Sequence, residues 1–175
     1  ADIEGDMSSG RPMNRLLEGD VGSGKTIVAA HSLVLTVQNG FQGCFMAPTE
    51  VLARQHFIGL SELLMPLGIN IALLVGGIGP EAKSRLYSDI KDGTVNIIVG
   101  THAIIQEAVE FKRLGLAVVD EQHKFGVDQR AILQGKGYKP HMLVMTATPI
   151  PSTLALTVYG DLDISIIKEL PKGRK

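Results

Sequence analysis

Eight consecutive residues near the start of the chain have the types and order needed to hold a polyphosphate: Gly19-Asp20-Val21-Gly22-Ser23-Gly24-Lys25-Thr26. Glycines let successive backbone N–H groups converge on one concavity, a nest for anionic oxygens. A helix that opens at Lys25 adds partial positive charge at the same point. Lys25 is then placed to reach the β- and γ-phosphates of a nucleoside triphosphate, and the Thr26 hydroxyl to ligate Mg²⁺. An ordinary glycine-rich turn is the alternative, disfavoured by the apolar strand pattern before the octet and the helical pattern after it.

A second segment, Leu116-Ala117-Val118-Val119-Asp120-Glu121-Gln122-His123, is an apolar run ending in two acids. Downstream of a phosphate loop, Asp120 is the candidate to hold the Mg²⁺ shell. Glu121 is the candidate general base that polarises an attacking water. Taken alone, the segment would read as a buried strand followed by a solvated turn. Thr146-Ala147-Thr148-Pro149 offers two small hydroxyls at a strand end, able to bond acidic neighbours or a water at the γ-phosphate. In Ala47-Pro48-Thr49-Glu50, Thr49 is placed to cap a helix whose free N–H groups suit a nucleic-acid phosphate. Plain capping is compatible with that role. Gly100-Thr101-His102 has a similar arrangement. His31 and His141 read as packed structural residues, Cys44 reads as core, and no His/Cys/acid cluster has zinc spacing.

These groups need a scaffold that brings their loops to one side. Short runs rich in Val, Ile and Leu alternate with longer helical stretches, the pattern of βαβ units and a parallel sheet. The runs predict strands at Asn14–Glu18, Gly43–Ala47, Ile69–Leu74, Val95–Val99, Leu116–Asp120, His141–Thr146 and Ile164–Ile167. Helices are predicted at Lys25–Asn39, Glu50–Pro66, Pro80–Asp92, Asp128–Gln134 and Ser152–Tyr159. The first of these is apolar nearly all round, which predicts deep burial. The second has Leu52, Leu60, Leu63, Leu64 and Leu67 on one stripe. In a sheet covered on both faces, ligands bind beyond the carboxyl ends of the strands, where all the loops named above should meet.

Composition sets the limits. The 175 residues suit one domain, and 45% hydrophobic with 20% charged residues is globular rather than disordered. One cysteine excludes a disulfide framework and fits a reducing, cytoplasmic setting. No apolar run approaches the ~20 residues of a membrane span, so no membrane partner is expected. A net charge of -1 gives no global basic field for nucleic acid, so DNA contacts would be local. The chain starts without Met, and the expectation is an excised or processed fragment. Residues 1–12 are read as a lead-in, 13–170 as the nucleotide-binding domain and 171–175 as the start of a linker.

The phosphate loop, Asp120-Glu121-Gln122-His123 and Thr146-Ala147-Thr148, in this order, resemble the first motor domain of a superfamily-two helicase. Further blocks narrow the resemblance to the RecG family of bacterial ATP-dependent DNA helicases. They are Phe125-Gly126-Val127, Gly100-Thr101-His102-Ala103, Thr146-Ala147-Thr148-Pro149-Ile150-Pro151 and the closing Leu154–Asp163 stretch. The resemblance runs from about Pro12 to Lys175. It implies a three-layer RecA-like α/β fold, ATP with Mg²⁺ as cofactor and branched or duplex DNA as substrate. It also implies a wedge domain and a second RecA-like domain elsewhere in the same monomer, the latter supplying an arginine to the ATPase cleft. Gln122, His123, Thr146 and Thr148 become candidates to couple phosphate state to DNA grip, and Thr49, Arg54 and Thr101 candidates for phosphate-backbone contact. Lys124, Ser152 and Glu18 stand where that family usually has Arg, Arg and Gln. Double-strand DNA translocases of the transcription-repair coupling type share several blocks, but usually differ at Gln122 and Ala103. A nucleotide-binding module without turnover and a small-molecule kinase are the rival classes.

Overall fold

All seven apolar runs are strands in the computed structural model, which describes residues 1–120, 127–151 and 161–168. They are β1 (Asn14–Gly19), β2 (Gln42–Met46), β3 (Ile71–Leu74), β4 (Ile97–Gly100), β5 (Leu114–Asp120), β6 (His141–Thr146) and β7 (Asp163–Ile167). They form one sheet in the order β3-β4-β2-β5-β6-β1-β7, and every neighbouring pair is parallel. Two strands start later than their apolar runs suggest. The Asn96 side chain accepts the Asn70 N–H at 2.8 Å, so the β3–β4 ladder begins only after these two amides.

Strand side chains alternate between two cores. Leu17, Phe45, Ile97, Val99, Leu116, Val118, Leu143 and Met145 share one face with α2 (Lys25–Gln38) and α3 (Glu50–Leu64). Leu16, Cys44, Ile98, Ala117, Val119, Met142 and Val144 share the other with α4 (Pro80–Asp92) and α5 (Val127–Gly135). The result is the expected three-layer α/β arrangement. Cys44 is core as expected, and burial pushes its thiol up to about 12. Pro80 opens α4 and Gly93, left-handed at φ 85°, closes it. The helix predicted at Ser152–Tyr159 lies outside the described residues.

Three packing expectations change. The helix α2 is not buried all round: Ile27 is 59% exposed, while Ala29, Ala30, Leu33, Ser32 and Thr36 face inward. A helix on an outer layer has one face against the sheet, and here its inward hydroxyls bond back to Val28 O and Ser32 O. On α3, Leu60 and Leu64 are buried but Leu63 is exposed, and so is Leu67 just beyond the helix. The helix passes at Met65 into a 3₁₀ turn, Met65–Leu67, which breaks the phase of the stripe. His141 packs as expected, its Nδ1 accepting the Met13 N–H at 2.8 Å, whereas His31 is exposed and pairs with Glu4 at 2.9 Å.

The opening residues, read from sequence only as a lead-in, contain a helix, α1 (Asp2–Ser8). It buries Ile3 in the α2–α3 core. Asp6 pairs with Arg15 Nε at 2.6 Å. The Ser165 hydroxyl accepts from Arg15 at 2.7 Å and donates to Asp2 at 2.8 Å, so α1 is tied to both β1 and β7.

Candidate functional site

The sheet places the phosphate loop at the carboxyl end of β1, between Gly19 and the first residue of α2. Gly24 caps that helix in a left-handed conformation, φ 96°, which favours glycine. No side chain caps α2, and with the Ile27 and Val28 N–H groups already on Gly24 O, the Lys25 and Thr26 N–H groups at its start are the ones placed for an anion. Gly19 has a different requirement: a Cβ there would lie 2.5 Å from Ser23 Oγ and 3.3 Å from the Cβ atoms of Ser23 and Ile167, so a side chain would displace the Ser23 hydroxyl and crowd the fold-back of the loop. The Ser23 N–H donates to Asp20 O at 3.0 Å to close the turn. Its hydroxyl is buried with no partner among the described residues.

Lys25 Nζ donates to the Gly19 and Asp20 carbonyls, a position from which a phosphate oxygen can take it over. Burial lowers the Lys25 ammonium below its ordinary value, and the carboxylates of Asp120 and Asp20 partly offset this. An anionic ligand at the loop would act in the same direction as these carboxylates and favour the charged form. Val21, at 87% exposure, is the tip of the loop.

Register brings the other candidates to the same edge. Glu18 lies opposite Thr146, and Asp120 opposite Met145, so β6 sits between the phosphate loop and the acidic strand end. Thr146 is buried and its hydroxyl lies 3.1 Å from that of Thr148, whose N–H also points to it at 3.3 Å. These two hydroxyls therefore engage each other. Glu18 Oε2 accepts from Ile150 N–H at 3.5 Å. Glu121, Gln122, His123, Lys124 and Ser152 lie outside the described residues.

On the next strands, Met46 and Gly100 are register partners, so Thr49 and Thr101 follow neighbouring strand ends. Thr49 caps α3, accepting the Leu52 N–H at 3.3 Å. Arg54 pairs with Glu50 at 3.6 Å on the exposed side of α3. Thr101 precedes a 3₁₀ turn, His102–Ile105; its carbonyl accepts the Ile104 N–H at 3.1 Å, and its side chain makes no cap bond.

A residue without an expected role also enters the site. His56 Nε2 lies 2.9 Å from Asp120 Oδ2, and its ring packs on Phe45 with centroids 4.5 Å apart. The available signal was a histidine in phase with Ala53 and Leu60 on the inner face of an amphipathic helix.

Thr26 and Asp120 offer a hydroxyl and a carboxylate. Such all-oxygen donors suit Mg²⁺, which binds through one or two carboxylates together with substrate phosphates. A separate cavity of about 580 Å³ opens on the opposite edge, lined by Glu4, Met7, Phe41, Tyr138 and His141 among others, and it does not touch this site.

A family model for DEAD/DEAH box helicases matches residues 6–157. The chain belongs to this family. It is 58% identical over 172 residues to the ATP-dependent DNA helicase RecG of Aquifex aeolicus, covering 97% of this chain and 22% of that protein. It is 50% identical over 174 residues to RecG of Thermotoga maritima, covering 99% of this chain and 22% of the relative. The chain thus spans about a fifth of the length of these relatives. A solved structure of RecG bound to a three-way DNA junction aligns with a TM-score of 0.86 at 47% identity, over 99% of this chain and 23% of that one. The helicase MrfA bound to DNA and AMPPNP aligns at 0.70 with 18% identity, over 97% of this chain and 26% of that one, a likeness of fold. The fold is the RecA-like α/β arrangement of a helicase motor domain.

Proposed function

We propose that this chain is the ATP-binding motor domain of a DNA helicase that uses ATP hydrolysis to remodel branched DNA, by fork reversal and branch migration, in recombination and repair. The observation that carries the reading is the 47% identity and 0.86 TM-score, over nearly the whole chain, to RecG on a three-way junction. The site supports it, because a glycine-rich loop, Lys25 and Asp120 converge on one sheet edge beside the ends of β2 and β4.

In this reading Gly19 to Thr26 bind the phosphates, with Lys25 on the β- and γ-oxygens. Mg²⁺, held by Thr26 and Asp120, neutralises charge on the phosphates when bound. Glu121 accepts the proton of the attacking water. Gln122, His123, Thr146 and Thr148 report the phosphate state, and Thr49, Arg54 and Thr101 meet the DNA backbone. A wedge domain and a second RecA-like domain of the same monomer complete the motor.

One consequence separates this reading from a self-sufficient ATPase. An arginine that neutralises the transferring phosphoryl group contributes about 10³–10⁵-fold in rate. Several arginines here already have partners: Arg15 on Asp6, Arg54 on Glu50, Arg130 near Asp161, and Arg113 over the Phe41 ring. Residues 1–175 should therefore bind nucleotide but turn it over slowly, while the full-length protein is stimulated by forked DNA. Steady-state ATPase assays of both, with and without a fork, test this. Robust DNA-stimulated turnover by the 175-residue monomer would overturn the two-domain reading.

A further inference from the structure

The acidic end of β5 is held from outside its own strand. His56 rises from the middle of α3, two turns beyond the Thr49 cap, and its Nε2 meets Asp120 Oδ2 at 2.9 Å. Both side chains are largely enclosed, at 16% and 23% exposure. The imidazole plane is set by Phe45 on β2, which is fully buried and tilted 41° to it. Three elements thus fix one carboxylate: β5 carries it, α3 supplies the donor and β2 orients the donor.

A carboxylate that must serve a metal shell has two oxygens and a free χ1 and χ2. When an imidazole N–H takes Oδ2, the rotation of the side chain is fixed and Oδ1 is the oxygen left for a metal-bound water. Groups that hold metal ligands in this way set ligand orientation and basicity, and their loss typically costs 10–100-fold in metal affinity. The arrangement has a second consequence. The same rigid helix carries Thr49 and Arg54 at its amino end, so a shift of α3 would move the donor away from Asp120.

We propose that His56 is a positioning residue for Asp120, holding its carboxylate in the orientation required by the Mg²⁺–nucleotide complex. The inference rests on the Mg²⁺ role proposed above for Asp120.

The test is the Mg²⁺ concentration needed for half-maximal binding of a fluorescent ATP analogue to the full-length protein, with thermal melting of each variant beside it. His56→Phe keeps a ring against Phe45 but has no donor, and should raise the Mg²⁺ requirement about 10–100-fold, with the loss absent when binding is measured without metal. His56→Gln places an amide N–H where Nε2 stands and should recover most of that loss. Asp120→Asn should raise the requirement by itself. A parental Mg²⁺ requirement in His56→Phe, with Asp120→Asn impaired, would overturn the His56 role and leave the metal site standing. A parental requirement in Asp120→Asn would remove the metal assignment and the His56 role together. A His56→Gln variant as impaired as His56→Phe would show that the donor is not what matters, and would also overturn the proposal.

Discussion

Two buried polar side chains at opposite edges of this sheet, Gln42 and Ser23, are treated in opposite ways. At the amino edge, the buried Gln42 amide is fully engaged. Its Nε2 donates to Ile90 O and Val95 O at 2.8 and 2.9 Å, and its Oε1 accepts the Arg113 N–H at 3.0 Å. On the other side of the sheet, Asp6, Arg15, Ser165 and Asp2 are linked one to the next by side-chain hydrogen bonds. At the carboxyl edge, the first turn of α2 has no side-chain cap, and the buried Ser23 hydroxyl has no partner among the described residues. Satisfied groups hold a fold together, whereas groups short of partners in a native structure mark a place where something else binds. The difference predicts that substitutions at one edge change stability and those at the other change ligand chemistry.

The largest effect is expected from Glu121→Gln in the full-length protein. The amide cannot accept a proton, so DNA-stimulated turnover should fall by about 10²–10⁴-fold while ATP binding persists. Rapid-quench turnover beside equilibrium binding checks this, and parental turnover would move the base elsewhere. Next is Gln42→Ala at the other edge. Losing this amide strips partners from two buried carbonyls and one N–H, and should cost about 2–4 kcal/mol in a denaturant titration. Nucleotide affinity of the folded fraction should stay parental; a matching loss of affinity would show that the edges are not independent.

Lys25→Ala should do the reverse. It removes a charge-assisted phosphate contact and should weaken nucleotide binding by about 1.5–3 kcal/mol. The unfolding midpoint should hardly move, since the ammonium is already disfavoured by burial. Equal affinity for an ATP analogue in mutant and parent would sink the phosphate assignment.

The smallest effect concerns His141. Burial lowers its imidazole below the ordinary value, with a weaker opposing influence from Asp6, and Nδ1 must stay unprotonated to accept the Met13 N–H. The unfolded chain therefore takes up a proton first as pH falls. The contribution is complete above the ordinary imidazole value and is lost progressively from there down through the lowered value of the folded state. Between about pH 8 and about pH 5 the parent should lose more melting temperature than His141→Asn, which keeps an acceptor but does not titrate. Equal pH dependence would exclude His141 as the responsive group.

The central strands were legible because β2 and β4 are buried on both faces, β5 and β6 nearly so, and all four are mostly apolar; the edge strand β7 is largely exposed and was found from its three isoleucines alone. Register and two-sided cover then follow from parallel βαβ geometry. The phosphate loop was legible because its chemistry is local, contained in eight consecutive residues. Other features depended on distance. The helix α1 is short and polar, and what anchors it, Arg15 and Ser165, lies elsewhere in the chain. On α3, the inner face was set by where the helix meets β3 and β4, so Leu63 and Leu67 lost their place to Ala53 and Phe57. The His56–Asp120 contact joins residues 64 positions apart. Nothing in either local sequence reports the height at which α3 crosses the sheet.

The strand that carries the phosphate loop is made early but completed late. Among the described residues β1 pairs with β6 and β7, and with no strand made before them. Met13 bonds to His141, 128 positions on, and Arg15 to Ser165, 150 positions on. By contrast β2, β3, β4 and β5 are mutual neighbours. As the chain leaves the ribosome at about 5–20 residues per second, these four can associate while β1 still has no place in the sheet. Pairings of such long sequence separation are also slow to form. Nucleotide-binding competence therefore waits for β6 and β7, although the glycine-rich loop is made before them. A nascent chain halted before β6 emerges would carry the whole glycine-rich loop and have nothing rigid to hold it.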